Sequence, residues 1–195
     1  RREQDLVERI CSNGGTVCYD YQWEAGMIYA DEGAEPFGPR WLRAILGEQF
    51  FSSVVLVQVI GATDDDLILI GQLRSVEFVD LSHSPKITNE GLAPIGKLSN
   101  ITELYLYDTG VTGQGLAHLR GLCKLRLLVL DDTQVGDEGV IHLRNLKRLS
   151  YLGLAATGIT DDGVASLSSL SSLRDLNLTD NQLTDESLLH LRFMY

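Results

Sequence analysis

The sequence carries only three cysteines, Cys11, Cys18 and Cys123. An odd count at no metal-like spacing speaks against a disulfide framework or a zinc site, so the thiols are expected to be buried and free. Cations are scarce too: 16 Lys and Arg stand against 27 Asp and Glu, a formal charge of −11. That balance argues against nucleic acid, which is bound mainly by basic surface, and suits a neutral or basic partner surface. No apolar run approaches the roughly 18 residues of a membrane span, and no signal peptide is visible. Strings of the G-x-S-x-G, Walker or H-E-x-x-H type are missing as well. With no nucleophile–base arrangement legible, no catalytic residue is assigned, and no metal or cofactor is expected.

What the sequence has is a repeat. Residues 101–124, 125–148, 149–172 and 173–195 align in one register with a period of 24. Upstream, residues 76–100 fit with one extra residue, and residues 54–75 fit with about three fewer. The common frame is L-x-x-L-x-L-x-x-(T/N)-x-(V/I/L)-(T/G)-(D/N/G)-x-(G/S)-(L/V)-x-x-L-x-x-L. Its first part alternates apolar and polar residues, which predicts a strand; its last part spaces apolar residues by three, which predicts a short helix. One such unit cannot bury its apolar side alone, so the units are expected to stack into a solenoid. The predicted fold is a right-handed α/β solenoid of about six coils over 54–195, with a parallel sheet on one face and helices on the other. Residues 1–53 form an N-terminal cap of helix, strand, loop and helix within the same domain.

Two polar columns invite a functional reading. Ser84, Thr109, Thr133, Thr157 and Asn181 fall where the chain turns inward after each strand, and are expected to bond backbone groups there. Thr88, Thr112, Thr160 and Thr184 precede Asn89, Gly113, Asp161 and Asp185, which predicts helix starts with threonine caps and acids facing the helix dipole. The Asp64–Asp66 run falls at the same place. Acids that recur once per coil are spread along the solenoid and do not converge as a metal site requires. His118, His142 and His190 share a column, but neighbouring helices sit roughly 8–10 Å apart, too far for shared zinc ligation.

Alternation assigns the outward side of the sheet. Its three columns are Leu56, Phe78, Glu103, Leu127, Tyr151, Asp175; then Gln58, Asp80, Tyr105, Val129, Gly153, Asn177; then Ile60, Ser82, Tyr107, Asp131, Ala155, Thr179. Phe78, Tyr105, Tyr107, Leu127, Val129 and Tyr151 are expected to form an apolar and aromatic patch rimmed by Asp80, Glu103, Asp108, Asp131, Asp132 and Asp175. Such a patch is a candidate protein-binding surface. Gly153 and Ala155 are expected to leave a shallow gap beside Tyr151.

In the cap, Leu6, Val7, Ile10 and Cys11 make one helical face that Asn13-Gly14-Gly15 ends. TVCYDYQ (16–22) alternates as a strand, residues 24–38 read as loop, and Pro39 opens a helix with Trp41, Leu42, Ile45 and Leu46 on its apolar side. The repeats resemble the leucine-rich repeat family over about 140 of 195 residues. Together with GGTVCYDYQ and GPRWLRAILGEQFFSSVVLVQV, they are similar to leucine-rich repeat proteins of planctomycete-type bacteria. The repeat type is also similar to that of F-box proteins, although no F-box precedes it here. The resemblance implies a non-enzymatic protein-binding module. Many such bacterial relatives carry an upstream membrane anchor, and a chain opening on Arg1 leaves room for one; the segment itself is expected to be soluble, with no membrane insertion. The rival expectation is a self-assembling scaffold that meets a second copy through the strand face or the C-terminal edge, where the chain ends in Phe193, Met194 and Tyr195.

Overall fold

The computed structural model describes residues 2–20 and 53–191. The predicted 24–38 loop, the Pro39 helix and the terminal aromatics lie outside the described residues. Among the described residues seven strands form one sheet in chain order: β1 (Thr16–Tyr19), β2 (Val54–Gln58), β3 (Phe78–Asp80), β4 (Glu103–Tyr105), β5 (Leu127–Val129), β6 (Tyr151–Gly153) and β7 (Asp175–Asn177). From β2 to β7 all pairings are parallel, and Leu104, Leu128, Leu152 and Leu176 stand abreast. The frame residues are therefore the register of the sheet. Leu56 pairs with Phe78, so the first repeat is 22 residues long, two short of the period.

After each of β2 to β6 the chain passes through a short helical segment before the next strand. These are α2 (Asp64–Ile70), α3 (Leu92–Ile95), a 3-10 turn (Gly115–Gly121), α4 (Gly136–Val140) and α5 (Asp161–Ser166), with α6 (Glu186–Leu191) after β7. Two of them continue as 3-10 turns, Ile141–Asn145 and Leu167–Ser169. Spacing by three rather than 3.6 explains the tight turns: residues at i and i+3 line up in a 3-10 helix. Leu116, Leu119 and Leu122 thus all point inward, each fully buried. One core runs the length of the stack, and each side chain buried there contributes about 1.5–3 kcal/mol.

One left-handed position recurs in every coil, with Gly136 and Gly158 as additional ones. Gly61, His83, Asp108, Asp132, Ala156 and Asp180 all have φ between 52° and 72°, three residues past each strand. Asp tolerates this region better than most side chains because its short carboxyl can bond locally. Three acids of the candidate rim or its column therefore have a backbone reason to be where they are.

The N-terminal helix α1 (Arg2–Ser12) buries Leu6 and Ile10 against the first coil, and Gly14, at φ 86°, reverses the chain into β1. Strand β1 runs antiparallel to β2. Cys18 is buried, which pushes its thiol pKa up. Cys11 and Cys123 are exposed, contrary to the buried thiols expected. Cys11 lies off the Leu6–Ile10 face, and Cys123 sits in a turn. In the last coil the packing thins: Leu188 is 64% exposed, whereas Val164, its counterpart one coil back, is 1% exposed.

Candidate functional site: the strand face and its ladders

Five backbone-directed side chains hold the strand ends in place. The hydroxyls of Thr109, Thr133 and Thr157 donate to the carbonyls of Leu106, Leu130 and Leu154, at 2.9, 2.5 and 2.7 Å. Asn181 donates to the carbonyl of Leu154 and accepts from the amides of Thr157 and Ile159. Ser84 accepts the Ala62 amide at 2.9 Å. This column does the structural work its residue types suggested.

The threonine–acid column works differently from simple capping. Thr160 precedes α5 in extended conformation without a side-chain cap bond. Its amide and hydroxyl instead both donate to the carboxylate of Asp137 in the preceding coil, at 2.8 and 2.6 Å. Thr88 does the same to Asp64, and Thr184 to Asp161. Asn89 substitutes for an acid toward Thr112, accepting its amide and donating to its hydroxyl. The glycine three residues after the threonine is part of the device: a Cβ at Gly91 or Gly163 would overlap the carboxylate of Asp64 or Asp137. The T-D-x-G string is thus a clamp between coils. One rung is missing, where Gly113 meets Gly136.

At the first coil Asp66 stands in the glycine position and closes onto the cap. It accepts from Asn13 Nδ2 at 2.7 Å and from both the amide and the hydroxyl of Thr63 at 2.9 Å. Burial alone would raise its pKa, but these bonds favour the carboxylate more and bring it below the usual range.

On the outward side of the sheet, the expected patch divides in two. Leu56 and Phe78 are buried, 4% and 8% exposed, in a second small cluster with Cys18. Phe78 is therefore not part of an exposed surface: it is buried in contact with its outward neighbours Leu56 and Cys18. Tyr105 packs on it, ring centroids 5.1 Å apart, and donates its hydroxyl to Glu103 at 3.1 Å. Burial, then the nearby Glu103 and Asp80, push the Tyr105 phenol pKa well above its ordinary value. Tyr107 bonds Asp132, which raises its pKa, and meets His83 edge-on at 4.8 Å. Leu127, Val129 and Tyr151 are half-buried on the adjacent strands.

The rim acids Asp80 and Asp131 are engaged. Asp80 accepts from Gln58 Nε2 at 2.7 Å and from the Ser82 amide at 3.0 Å. Asp131 accepts the Ala155 amide at 2.6 Å and reaches Asn177, 46 residues away, at 3.2 Å. Its carboxylate lies over Gly153, so the shallow gap expected beside Tyr151 is filled. His118, His142 and His190 are half-buried. Among the described residues no cluster of metal-ligating side chains forms.

A parallel sheet, one helical turn per coil and a continuous leucine core define the leucine-rich repeat class of solenoid. The Leucine Rich repeat family profile matches residues 72–96, 121–143 and 169–191. Among solved structures, the chain is similar to an internalin (inlF) of Listeria monocytogenes, at 25% identity and a TM-score of 0.60. The match covers 79% of this chain but 46% of the internalin, so this chain spans about half that protein. A second internalin of the same organism (inlC2) shares the fold at 20% identity and a TM-score of 0.50, over 73% of this chain and 77% of its own. No curated protein matches the sequence. The likeness to planctomycete-type or F-box-associated repeats gains no support from these matches.

Proposed function

We propose that the chain is a non-enzymatic protein-interaction module that takes its partner on the strand face. The observation that carries this reading is the group Tyr105, Leu127, Val129 and Tyr151 on three neighbouring strands, with Tyr107 in the turn after the first of them, all half-buried. No Lys or Arg falls anywhere in the three outward columns. Glu103, Asp80 and Asp131 border the group, so the partner surface is apolar with neutral or basic surroundings. Phe78 supports Tyr105 from below and takes no part in contact.

Photoreactive side chains placed at positions 105, 127 and 151, and separately on the helical side at 117, 141 and 165, test this. Crosslinking to a common protein is expected from the first set alone. Crosslinking only from the second set would place the partner elsewhere. Leu127→Asp should abolish capture while leaving the melting temperature nearly unchanged, because that side chain is only half-buried.

Self-assembly through the last coil is a second reading, favoured by Leu188 and Leu189 at 64% and 62% exposure. A mass that stays monomeric at high concentration removes it.

A further inference from the structure

The charges of the solenoid are sorted by edge. Between residues 54 and 191, every Lys and Arg except Lys86 falls in the segments that lead from a helix into the next strand: 68–77, 92–102, 116–126, 140–150 and 164–174. The only acid in those segments is Glu77. The segments leading from a strand into a helix (59–67, 81–91, 106–115, 130–139, 154–163 and 178–187) hold fourteen acids against Lys86. A protein of charge −11 thus has one continuous basic edge, opposite an acidic one.

Helix dipoles account for part of the sorting. Arg120 and Arg144 sit in the last turns of their helices, where a cation is favourable. Arg74, Lys97, Lys124, Arg126, Lys147, Arg148 and Arg174 lie beyond the helices, and the dipole's influence fades within the last turn. All nine edge cations are exposed, and none makes an ion pair. Lys124 and Lys147 donate only to neutral oxygens, of Asn100 and Ser169, at 2.8 Å each. The field is felt locally: burial first, then Arg120 and Arg144, holds the His142 pKa below its ordinary value. Between Arg74 and Lys97 the edge also has a recess of about 410 Å³, with Ser99 and Asn100 in its wall.

We propose that the basic edge docks against the acidic edge of a second copy of this chain, the two solenoids lying side by side. Each copy carries both surfaces, and both repeat once per coil of the same stack, so cations and carboxylates match in spacing as well as in sign. The acids free for this contact are those outside the clamps, such as Asp65, Glu138 and Asp162, all exposed. The contact joins unlike edges and leaves one of each unpaired, so it is open-ended and builds lateral rows. The strand face stays uncovered, and the proposal does not depend on the partner reading above.

Sedimentation of the 195-residue chain across protein concentration and salt tests it. Mass should rise with concentration at low ionic strength, and the association constant should fall at least tenfold by about 0.15 M salt, where charges further apart than about 8 Å are screened. Lys124→Glu with Arg126→Glu and Arg148→Glu should give a monomer, as should Asp65→Lys with Glu138→Lys and Asp162→Lys. Mixing the two variants should restore association, since each retains the edge the other needs. A wild-type chain that stays monomeric at low salt overturns the proposal. So does association that salt leaves intact, which would point to Leu188 and Leu189, or variants that fail to pair when mixed. Binding of heparin by a chain that does not self-associate would assign the edge to a polyanion instead.

Discussion

The turns after the strands and the turns before them belong to the same repeat, yet they handle charge in opposite ways. On the acidic edge, carboxylates are consumed by the fold: Asp64, Asp137 and Asp161 each accept an amide and a hydroxyl from the next coil. On the basic edge, the cations make only single bonds, Lys124 to Asn100, Lys147 to the Ser169 carbonyl and Arg120 to the His142 ring nitrogen. A short acid beside a coil-to-coil gap can be fixed by backbone donors with little loss of side-chain entropy. A long lysine or arginine at a turn costs more to immobilise and gains little in water. The acidic edge is accordingly a structural seam, and the basic edge is surface left available.

This contrast is open to direct attack. The largest effect is expected from Gly163→Val, which drives a side chain into the Asp137 carboxylate and Ile159. Overpacking and loss of the clamp together should cost about 3 kcal/mol, read from the urea midpoint. Next comes Asp137→Ala, which strands the Thr160 amide and hydroxyl and should cost about 1–2 kcal/mol. Combining it with Thr160→Val should cost less than the sum of the two, since both remove one contact.

Acid titration gives a graded version of the same test. The carboxyls of Asp161, bonded by Ser187 and Thr184, and of Asp66 have pKa values lowered in the folded chain. Such groups add stability above the unfolded carboxylate pKa of about 4, and that stability is lost as pH falls through the lower folded value. The melting temperature should therefore drop on acidification below about pH 5, and Asp161→Asn should flatten the drop. The smallest effect belongs to the other edge. Lys124→Glu with Arg126→Glu and Arg148→Glu should shift stability by no more than about 0.5 kcal/mol per site, because those side chains are exposed and make no ion pair, and the one bond from Lys124 to Asn100 lies in water. A basic-edge loss as large as that at Asp137 would erase the distinction between seam and surface.

The candidate site was only partly legible in advance. The outward columns follow from alternation, and Tyr105, Leu127, Val129 and Tyr151 stand on the predicted strands and face. Phe78 failed as a surface residue because it is buried in a cluster with Leu56 and Cys18, and Cys18 comes from outside the repeats, where the repeat pattern does not reach. The bonds that engage Asp131 at the rim were not readable, because its second partner, Asn177, is two coils away. The left-handed column did have a signal: Asp recurs at positions 108, 132 and 180, with Gly61 in the same slot. The sorting of cations was equally readable, since it is a property of the string alone.

The sequence by itself determined the period, the inward leucines, the parallel register and the hydroxyl column at the strand ends. These depend on spacings within one repeat, where 2-residue and 3-residue periodicities choose which way a side chain points. Only the tertiary structure decided what each outward or polar side chain meets. Thr160 reads as a helix cap within its own repeat, and becomes the donor to Asp137 only when the coil before it is stacked alongside. Stacking brings together residues some 22 to 27 positions apart, or 46 for Asp131 and Asn177. A periodic string holds the same residues but does not say how closely one coil is laid on the next.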